Sequence, residues 1–143
     1  MSLSRFTLLF SLLVVFSLPV VAEDAGWRAP LSVEGATTIS AEQAKQLHEQ
    51  GVAFIDLRNP RLHKRRHIPG AHHLNLKTDF NEAALAAVVG KEEPVVMYCS
   101  GVKCSRSYRA TEQALGWGFS KVYYFRGGIV DWRDAGYPTG KVE

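Results

Sequence analysis

The chain contains two cysteines, Cys99 and Cys104, and they are the residues best placed for covalent chemistry. An apolar run, 95–98, ends at Cys99 and passes into a short polar loop that precedes a predicted helix. A thiol beside a helix N-terminus meets unpaired backbone N–H groups and the positive end of the helix dipole. Lys103 and Arg106 add positive charge. These influences lower a thiol pKa and favour the thiolate, so the sequence predicts that Cys99 is a nucleophile.

The loop after Cys99 is predicted to bind an anion. Its backbone N–H groups are expected to point inward and hold a negatively charged sulfur, as similar loops hold phosphate. Gly101 is expected to allow a turn that a β-carbon would hinder, and Lys103 or Arg106 to orient a sulfonate group. The predicted binding residues are Ser100, Gly101, Val102, Lys103, Cys104, Ser105 and Arg106.

Helical and extended patterns alternate along the chain and predict an α/β fold. The predicted helices run from Ser40 to Gly51, from Asp79 to Gly90 and from about Ser105 to Leu115, with a short helix around Trp132; the predicted strands are 52–56, 95–98 and 122–125. Strands that are apolar throughout need cover on both faces, which favours a parallel sheet between two helical layers. Ligands of such sheets bind beyond the carboxyl ends of the strands, where Cys99 is expected.

The N-terminus resembles a cleavable signal peptide. A short cationic start is followed by the uncharged, mostly apolar residues 6–21, and the sequence Val20-Val21-Ala22 fits a cut before Glu23. The predicted organisation is a signal peptide at 1–22, a flexible segment at 23–36 and one folded domain at 37–143. The alternative is an uncleaved membrane anchor, although the run is short for a span and contains Pro19. Export predicts a periplasmic or secreted protein without stable membrane association after cleavage.

Composition excludes some classes of protein. The formal net charge of +3 is only mildly basic and comes without interleaved aromatic residues, so no nucleic-acid partner is expected. Two cysteines are too few for a scaffold held together by disulfides. The domain is therefore expected to be stabilised by its apolar core.

Four segments together resemble the rhodanese domain family. They are Phe54-Ile55-Asp56-Leu57-Arg58, His67-Ile68-Pro69-Gly70-Ala71, Tyr98-Cys99 with its loop, and 125–132 with Gly136-Tyr137-Pro138. The resemblance implies a single rhodanese-like domain with a parallel five-stranded sheet and helices on both faces. It also implies a sulfurtransferase that carries sulfane sulfur as a Cys99 persulfide from thiosulfate or a similar anionic donor to a thiol or cyanide.

The resemblance implies further roles and partners. Asp56 and Arg58 are expected to support the loop region, Arg58 with a smaller chance of substrate contact, and no cofactor or metal is expected. A periplasmic redox or sulfur-carrier protein is the expected protein partner. The loop departs from the commoner family pattern because its glycine comes one position earlier and Arg106 two positions later. It is similar to an exported single-domain branch with a Cys-x-Gly-x-x-Cys loop.

Three alternative functions remain open at the level of sequence. The first is a thiol-disulfide oxidoreductase that uses Cys99 and Cys104. The second is a phosphatase or arsenate-reductase-like oxyanion enzyme, although Arg106 lies one position further from Cys99 than such phosphatases require. The third is a non-catalytic module that binds metal or protein through cysteines and histidines.

Two features have more than one interpretation. Cys104 could be an inert helix-start residue, a resolving thiol or a disulfide partner. The cationic run 63–67 is usually a solvated surface, but it could attract anionic substrates if it lies near Cys99.

Overall fold

The computed structural model describes residues 26–143 as an α/β domain around one parallel sheet. The order of the strands in the sheet is β1-β5-β4-β2-β3. The strands are β1 (Thr37–Thr38), β2 (Ala53–Asp56), β3 (His72–His73), β4 (Val95–Tyr98) and β5 (Val122–Phe125). The helices are α1 (Ala41–Glu49), α2 (Pro60–Arg65), α3 (Glu82–Ala86), α4 (Arg106–Gly116) and α5 (Gly128–Asp134).

The central strand β4 is buried on both faces, and its side chains alternate between two cores. Val95 and Met97 face the core that contains residues of α3 and α4. Val96 and Tyr98 face the core that contains residues of α1 and α5. A strand covered on both sides must be apolar throughout, which is the pattern of 95–98. The predicted parallel sheet with helices on both faces is therefore confirmed.

Local capping explains how several helices begin and end. Ser40 and Gln43 form the predicted capping box at the start of α1, and Gly51 follows that helix with φ near 80°. The prediction for α3 was wrong in its cap, because Asn81 rather than Asp79 accepts the hydrogen bond of the first turn. It was also wrong in length, since the helix ends at Ala86.

Two residues of the described N-terminal segment, 26–36, pack against the domain. Ala29 and Val33 are buried. The Ala29 N–H donates to the Val102 carbonyl at 2.7 Å, and Arg126 Nε donates to the Ala29 carbonyl at 3.0 Å. The flexibility that the sequence predicts for this segment stays a prediction. The predicted signal peptide lies outside the described residues.

Within residues 26–143, none of the helices has the length and apolar character needed to cross a bilayer.

Candidate active site

The candidate site lies at the carboxyl edge of the sheet, where three strands end at the same level. Asp56 pairs with Tyr98 in the register of β2 and β4, and Tyr98 pairs with Phe125 in the register of β4 and β5. The chain leaves β4 at Cys99 and forms the loop that leads into α4. Parallel strands bring their carboxyl ends to one edge, so this loop meets the segments that follow β2 and β5.

Cys99 is fully buried beneath this loop. Its Sγ donates to the Cys104 carbonyl at 3.6 Å and lies 3.4 Å from Ser107 Oγ. The hydrogen bond with the Cys104 thiol and burial both raise the pKa of Cys99 well above its ordinary value. The sequence-based expectation of a lowered Cys99 pKa is opposite to this direction, because the backbone N–H and the charge of Arg106 act on Cys104 instead.

Cys104 is partly exposed, and both cysteines are free thiols. The hydrogen bond from the Cys99 thiol and backbone N–H groups of Arg106 and Ser100 lower the pKa of Cys104 to about 6, although its own burial opposes the change. Only one of two hydrogen-bonded thiols ionises readily, because a second negative charge beside the first is unfavourable. Cys104 is therefore the more acidic thiol of the two.

The loop encloses one side of a cavity of about 670 Å³. Every predicted binding residue of the loop lines it, from Ser100 to Arg106, whereas Cys99 does not. Lys77, Gly127, Val130 and Asp131 complete the lining. The sequence therefore predicted the loop wall, and the structure adds the opposite wall from α5 and the segment after β3.

The backbone donors of the loop are divided among several acceptors. The N–H groups of Ser100 and Arg106 interact with the Cys104 sulfur, and that of Ser107 interacts with the Cys99 sulfur. The Cys104 N–H instead donates to the Gly101 carbonyl at 2.9 Å and forms a turn. The predicted inward ring of donors is therefore only partly formed.

Two positively charged loop residues face the cavity differently. Arg106 Nη1 donates to the Leu57 carbonyl and to Asn75 Oδ1, both at 3.2 Å, so this side chain ties the start of α4 to the segment after β2. Lys103 is exposed at the cavity wall. Both remain candidates to orient an anion.

The start of α5 fixes the start of the loop. The N–H groups of Ile129 and Val130 donate to the carbonyls of Cys99 and Ser100 at 3.0 and 3.1 Å. Gly101 has an ordinary backbone conformation, so the predicted special turn is not what requires glycine there. A β-carbon on Gly101 would instead lie 3.2 Å from the Gly127 carbonyl oxygen.

Asp56 and Arg58 form a buried ion pair beside the site. Arg58 Nη2 lies 2.6 Å from Asp56 Oδ2, and the same carboxylate accepts from the Tyr98 hydroxyl at 3.0 Å. Burial alone would raise the pKa of Asp56, but hydrogen bonds and charge from Arg58 hold it below its ordinary value. Because Tyr98 immediately precedes Cys99, the pair supports the strand end from which the loop departs.

The cationic run 63–67 is divided between the interior and the surface. His63 is buried, and its Nδ1 lies 2.9 Å from Asp56 Oδ2, so the solvated reading is wrong for this residue. Arg65 and Arg66 line a second cavity of about 410 Å³ with Arg133. That cavity shares Ser100 and Val130 with the first one. Part of the run therefore lies close enough to the cysteine loop to attract anions.

Several residues at the site were not among the predicted site residues. Ser107 and Asn75 are buried polar residues that contact Cys99 and Arg106, and Lys77 and Asp131 line the cavity. Only Ser107 could have been suspected, since it lies in the first turn of the predicted helix. Among residues 26–143, no three histidine, cysteine or acidic side chains are grouped so that they could hold a metal ion.

Comparison with known proteins adds sequence relatives and structural neighbours. Residues 40–135 match the Rhodanese-like domain family. The chain is 34% identical over 105 residues to the thiosulfate sulfurtransferase GlpE of Pseudomonas syringae pv. syringae, which covers 73% of this chain and 93% of that protein.

Two solved structures share the fold. The BH2092 protein from Bacillus halodurans has a TM-score of 0.66 at 23% identity and covers 73% of this chain and 77% of that chain. A protein from Rhodopseudomonas palustris, described as a possible tyrosine phosphatase, has a TM-score of 0.62 at 29% identity and covers 73% of this chain and 85% of that chain.

Proposed function

This chain belongs to the Rhodanese-like domain family, and on that basis we propose that it is a sulfurtransferase of the thiosulfate type. It takes sulfane sulfur from thiosulfate or a similar anionic donor, carries it as a persulfide of Cys99, and delivers it to a thiol or cyanide. Sulfur transfer is then covalent catalysis in two half-reactions.

The observation that carries this proposal is the thiol of Cys99 at the strand end, beneath a loop that lines a cavity with three cationic side chains. Lys77, Lys103 and Arg106 line the cavity together with one carboxylate, Asp131, and Cys99 lies buried at the start of the loop that forms the cavity wall. These charges favour a dianionic donor. The Cys99 sulfur gives up its proton and attacks the outer sulfur of thiosulfate, a sulfur–sulfur bond forms at Cys99, and sulfite leaves with the electron pair of the broken bond. Arg106 suits the sulfonate best, because its planar guanidinium can contact two oxygens at once.

The position of Cys99 suits it to hold sulfur between the two half-reactions. Its Sγ is shielded from solvent and lies 3.4 Å from Ser107 Oγ, which can donate to a negatively charged sulfur. The backbone N–H of Ser107 also faces this sulfur. A persulfide held there is protected from water and oxidants.

Intact-protein mass after reduction and thiosulfate treatment tests the proposal. We expect the parent protein to gain one sulfur atom, and cyanide to remove that sulfur as thiocyanate. A variant with both Cys99→Ser and Cys104→Ser is the matched control and should gain none. Equal gain by parent and double variant, or no gain by either, would contradict the proposal.

Thiol-disulfide exchange is the second candidate, and the hydrogen bond between the two thiols favours it. A thiolate with a pKa near 6 beside a second thiol is the arrangement that dithiol oxidoreductases use. The same mass measurement separates the two functions. Oxidation to a disulfide removes two hydrogen atoms from the parent, whereas sulfur transfer adds one sulfur.

We also propose that the protein works in the periplasm or after secretion, with a thiol-containing redox or sulfur-carrier protein as acceptor. The apolar run 6–21 and the sequence Val20-Val21-Ala22 support export. N-terminal sequencing of protein isolated from cells should begin at Glu23. A chain that retains Met1 and sediments with membranes would support the uncleaved anchor instead.

A further inference from the structure

A second cavity adjoins the one that the cysteine loop lines. Its volume is about 410 Å³, and the two cavities have Ser100 and Val130 as a common wall. Ser100 follows Cys99 directly, so the second cavity lies beside the start of the loop that covers the reactive sulfur. Cavities of this size take ligands larger than a sulfur oxyanion. The donor alone therefore does not account for both.

We call the second cavity the arginine cavity. Among residues 26–143, its lining contains no carboxylate but four arginines, Arg58, Arg65, Arg66 and Arg133. The first cavity differs, because its lining combines cationic side chains with the carboxylate of Asp131, which repels other carboxylates. A planar guanidinium can hold a carboxylate through two parallel hydrogen bonds. The arginine cavity therefore suits a ligand that carries carboxylates.

Arg58 supplies a buried, fixed donor to this cavity. The residue is only 4% exposed, and its Nε and Nη2 donate to the Asp56 carboxylate and the Arg66 carbonyl. Its Nη1 makes no hydrogen bond within the described residues 26–143. Because the ion pair already holds the guanidinium in place, a ligand that binds Nη1 does not have to order this side chain.

The other three arginines of the cavity are exposed. In the part of the chain that the structure describes, none of Arg65, Arg66 and Arg133 forms an ion pair with a carboxylate. Positive charges gathered without compensation repel one another and raise the local concentration of anions. Leu62 and Ile129 add an apolar wall that can contact the carbon chain of a ligand.

We propose that the arginine cavity binds the carboxylates of the sulfur acceptor, so that the preferred acceptor is a thiol flanked by carboxylates. This inference rests on the proposed sulfurtransferase function and names the class of its acceptor. A small thiol acid presents this chemistry directly, and a carrier protein would present it as acidic side chains beside its cysteine. The common wall lets the carboxylates lie among the arginines while the thiol extends past Ser100 towards Cys99.

The acceptor step balances in atoms and electrons. The acceptor thiol gives up its proton, and its sulfur attacks the outer sulfur of the Cys99 persulfide. A sulfur–sulfur bond forms on the acceptor, and the bond within the Cys99 persulfide breaks. Cys99 keeps the electron pair of that bond and takes up the proton, and the acceptor leaves as a persulfide anion.

Sulfur transfer from preloaded protein tests the acceptor site apart from the donor. The protein is loaded with thiosulfate, desalted and mixed with one thiol, and the loss of the added sulfur is followed by intact mass. Mercaptosuccinate is the anionic thiol and 2-mercaptoethanol the neutral one. The samples are the parent, Arg65→Gln, Arg133→Gln, the double variant of these two, and Arg109→Gln. Arg109 is the matched control, because it is an exposed arginine of α4 that lines neither cavity.

The measured quantity is the rate with mercaptosuccinate divided by the rate with 2-mercaptoethanol. We expect this ratio to fall roughly threefold in each single variant and roughly tenfold in the double variant, because each substitution removes one ion pair with the acceptor. Arg109→Gln should keep the ratio of the parent. Comparing ratios between protein variants removes the intrinsic reactivity of each thiol.

Two pentapeptides distinguish the two sources of an anionic thiol. One has a cysteine between two pairs of glutamates, and its neutral match has glutamines in their place. A fall of the mercaptosuccinate ratio in the double variant assigns the arginine cavity to small thiol acids. A fall of the peptide ratio alone assigns it to an acidic segment of a carrier protein, and either result supports the inference.

The remaining outcomes separate this inference from the function on which it rests. If both ratios in the double variant equal those of the parent, or if Arg109→Gln lowers them as much, the arginine cavity is not an acceptor site, while sulfur transfer stands. If the parent cannot be loaded with sulfur from thiosulfate, the proposed function fails and this inference fails with it.

Discussion

Replacing Gly128 by alanine should displace the cysteine loop. Gly128 has φ near 56°, and a β-carbon built there would lie 2.3 Å from the Cys99 carbonyl oxygen and 3.0 Å from the Ser100 carbonyl carbon. Both contacts are with backbone, so no side chain can rotate away. The backbone at Gly128 and the backbone at Cys99 and Ser100 must separate by about 1 Å to reach ordinary van der Waals distance.

The size of the effect has two parts. A non-glycine residue in the left-handed region costs about 1–2 kcal/mol. Forcing an extra carbon into a packed backbone contact costs about 1–3 kcal/mol more. We therefore expect Gly128→Ala to lower the free energy of unfolding by about 2–5 kcal/mol. Because Cys99 moves with its carbonyl, sulfur uptake should slow on the order of 100-fold.

Gly136→Ala is the matched control. Gly136 also has a positive φ, near 80°, but a β-carbon there would have nothing within 4 Å. This variant should show only the backbone cost and should keep its rate of sulfur uptake. The free energy of unfolding in urea and the rate of sulfur uptake from thiosulfate are measured on both variants. If the two variants lose the same stability and take up sulfur at the same rate, the contact between residue 128 and the Cys99 carbonyl is not what requires glycine.

Three further predictions concern the buried polar network under the loop. Arg58→Met should lower the free energy of unfolding by about 3–5 kcal/mol, because it leaves the Asp56 carboxylate buried without its ion-pair partner; urea unfolding at pH 7 measures this, and a loss below 1 kcal/mol would contradict it. Tyr98→Phe should cost about 1–3 kcal/mol in the same assay, since it removes the acceptor of the Ile68 N–H, and an unchanged midpoint would count against that bond. Burial lowers the pKa of His63 below its ordinary 6.5 despite the hydrogen bond with Asp56, so its contribution to stability is complete above pH 6.5 and is lost as the pH falls through the lower folded-state value. Unfolding free energies at pH 7 and pH 5 should therefore differ less in His63→Gln than in the parent, and an identical difference in both proteins would exclude this residue.

The main elements could be predicted because their signals are local. The bounds of β4 and β5 match the apolar runs 95–98 and 122–125, which are too short for helices and fit buried strands. The start of α1 follows from Ser40 and Gln43, whose side chains satisfy N–H groups that any helix leaves unpaired. Such patterns need no knowledge of distant contacts.

The short elements could not be predicted in this way. β1 and β3 have two residues each and exist because they pair with β5 and β2. The six residues of α2 lie in a strongly cationic stretch, and only the cap residue Asn59 and the proline at the first helical position, Pro60, mark where this helix begins. His63 is buried because Asp56, seven residues earlier, supplies a partner for it.

The site was predicted in its location but not in its distribution of charge. The position of Cys99 at a strand end follows from sequence, and so does the polar loop beside it. Which sulfur receives which backbone N–H depends on how the loop folds over β4. The sequence places Lys103 and Arg106 near both thiols. It does not show that Cys104 lines the cavity or that Cys99 is fully buried.

The stretch 26–36 affects how a fragment of this protein should be designed. It lies outside the family match at 40–135, yet its Ala29 amide holds the Val102 carbonyl of the cysteine loop. Arg126 Nε donates a hydrogen bond to the Ala29 carbonyl, and the Tyr124 hydroxyl donates one to the Pro30 carbonyl. A recombinant fragment trimmed to the family boundaries would therefore lose strand β1 and also the hydrogen bond from Ala29 to the cysteine loop. Affinity tags and cleavage sites belong upstream of Gly26.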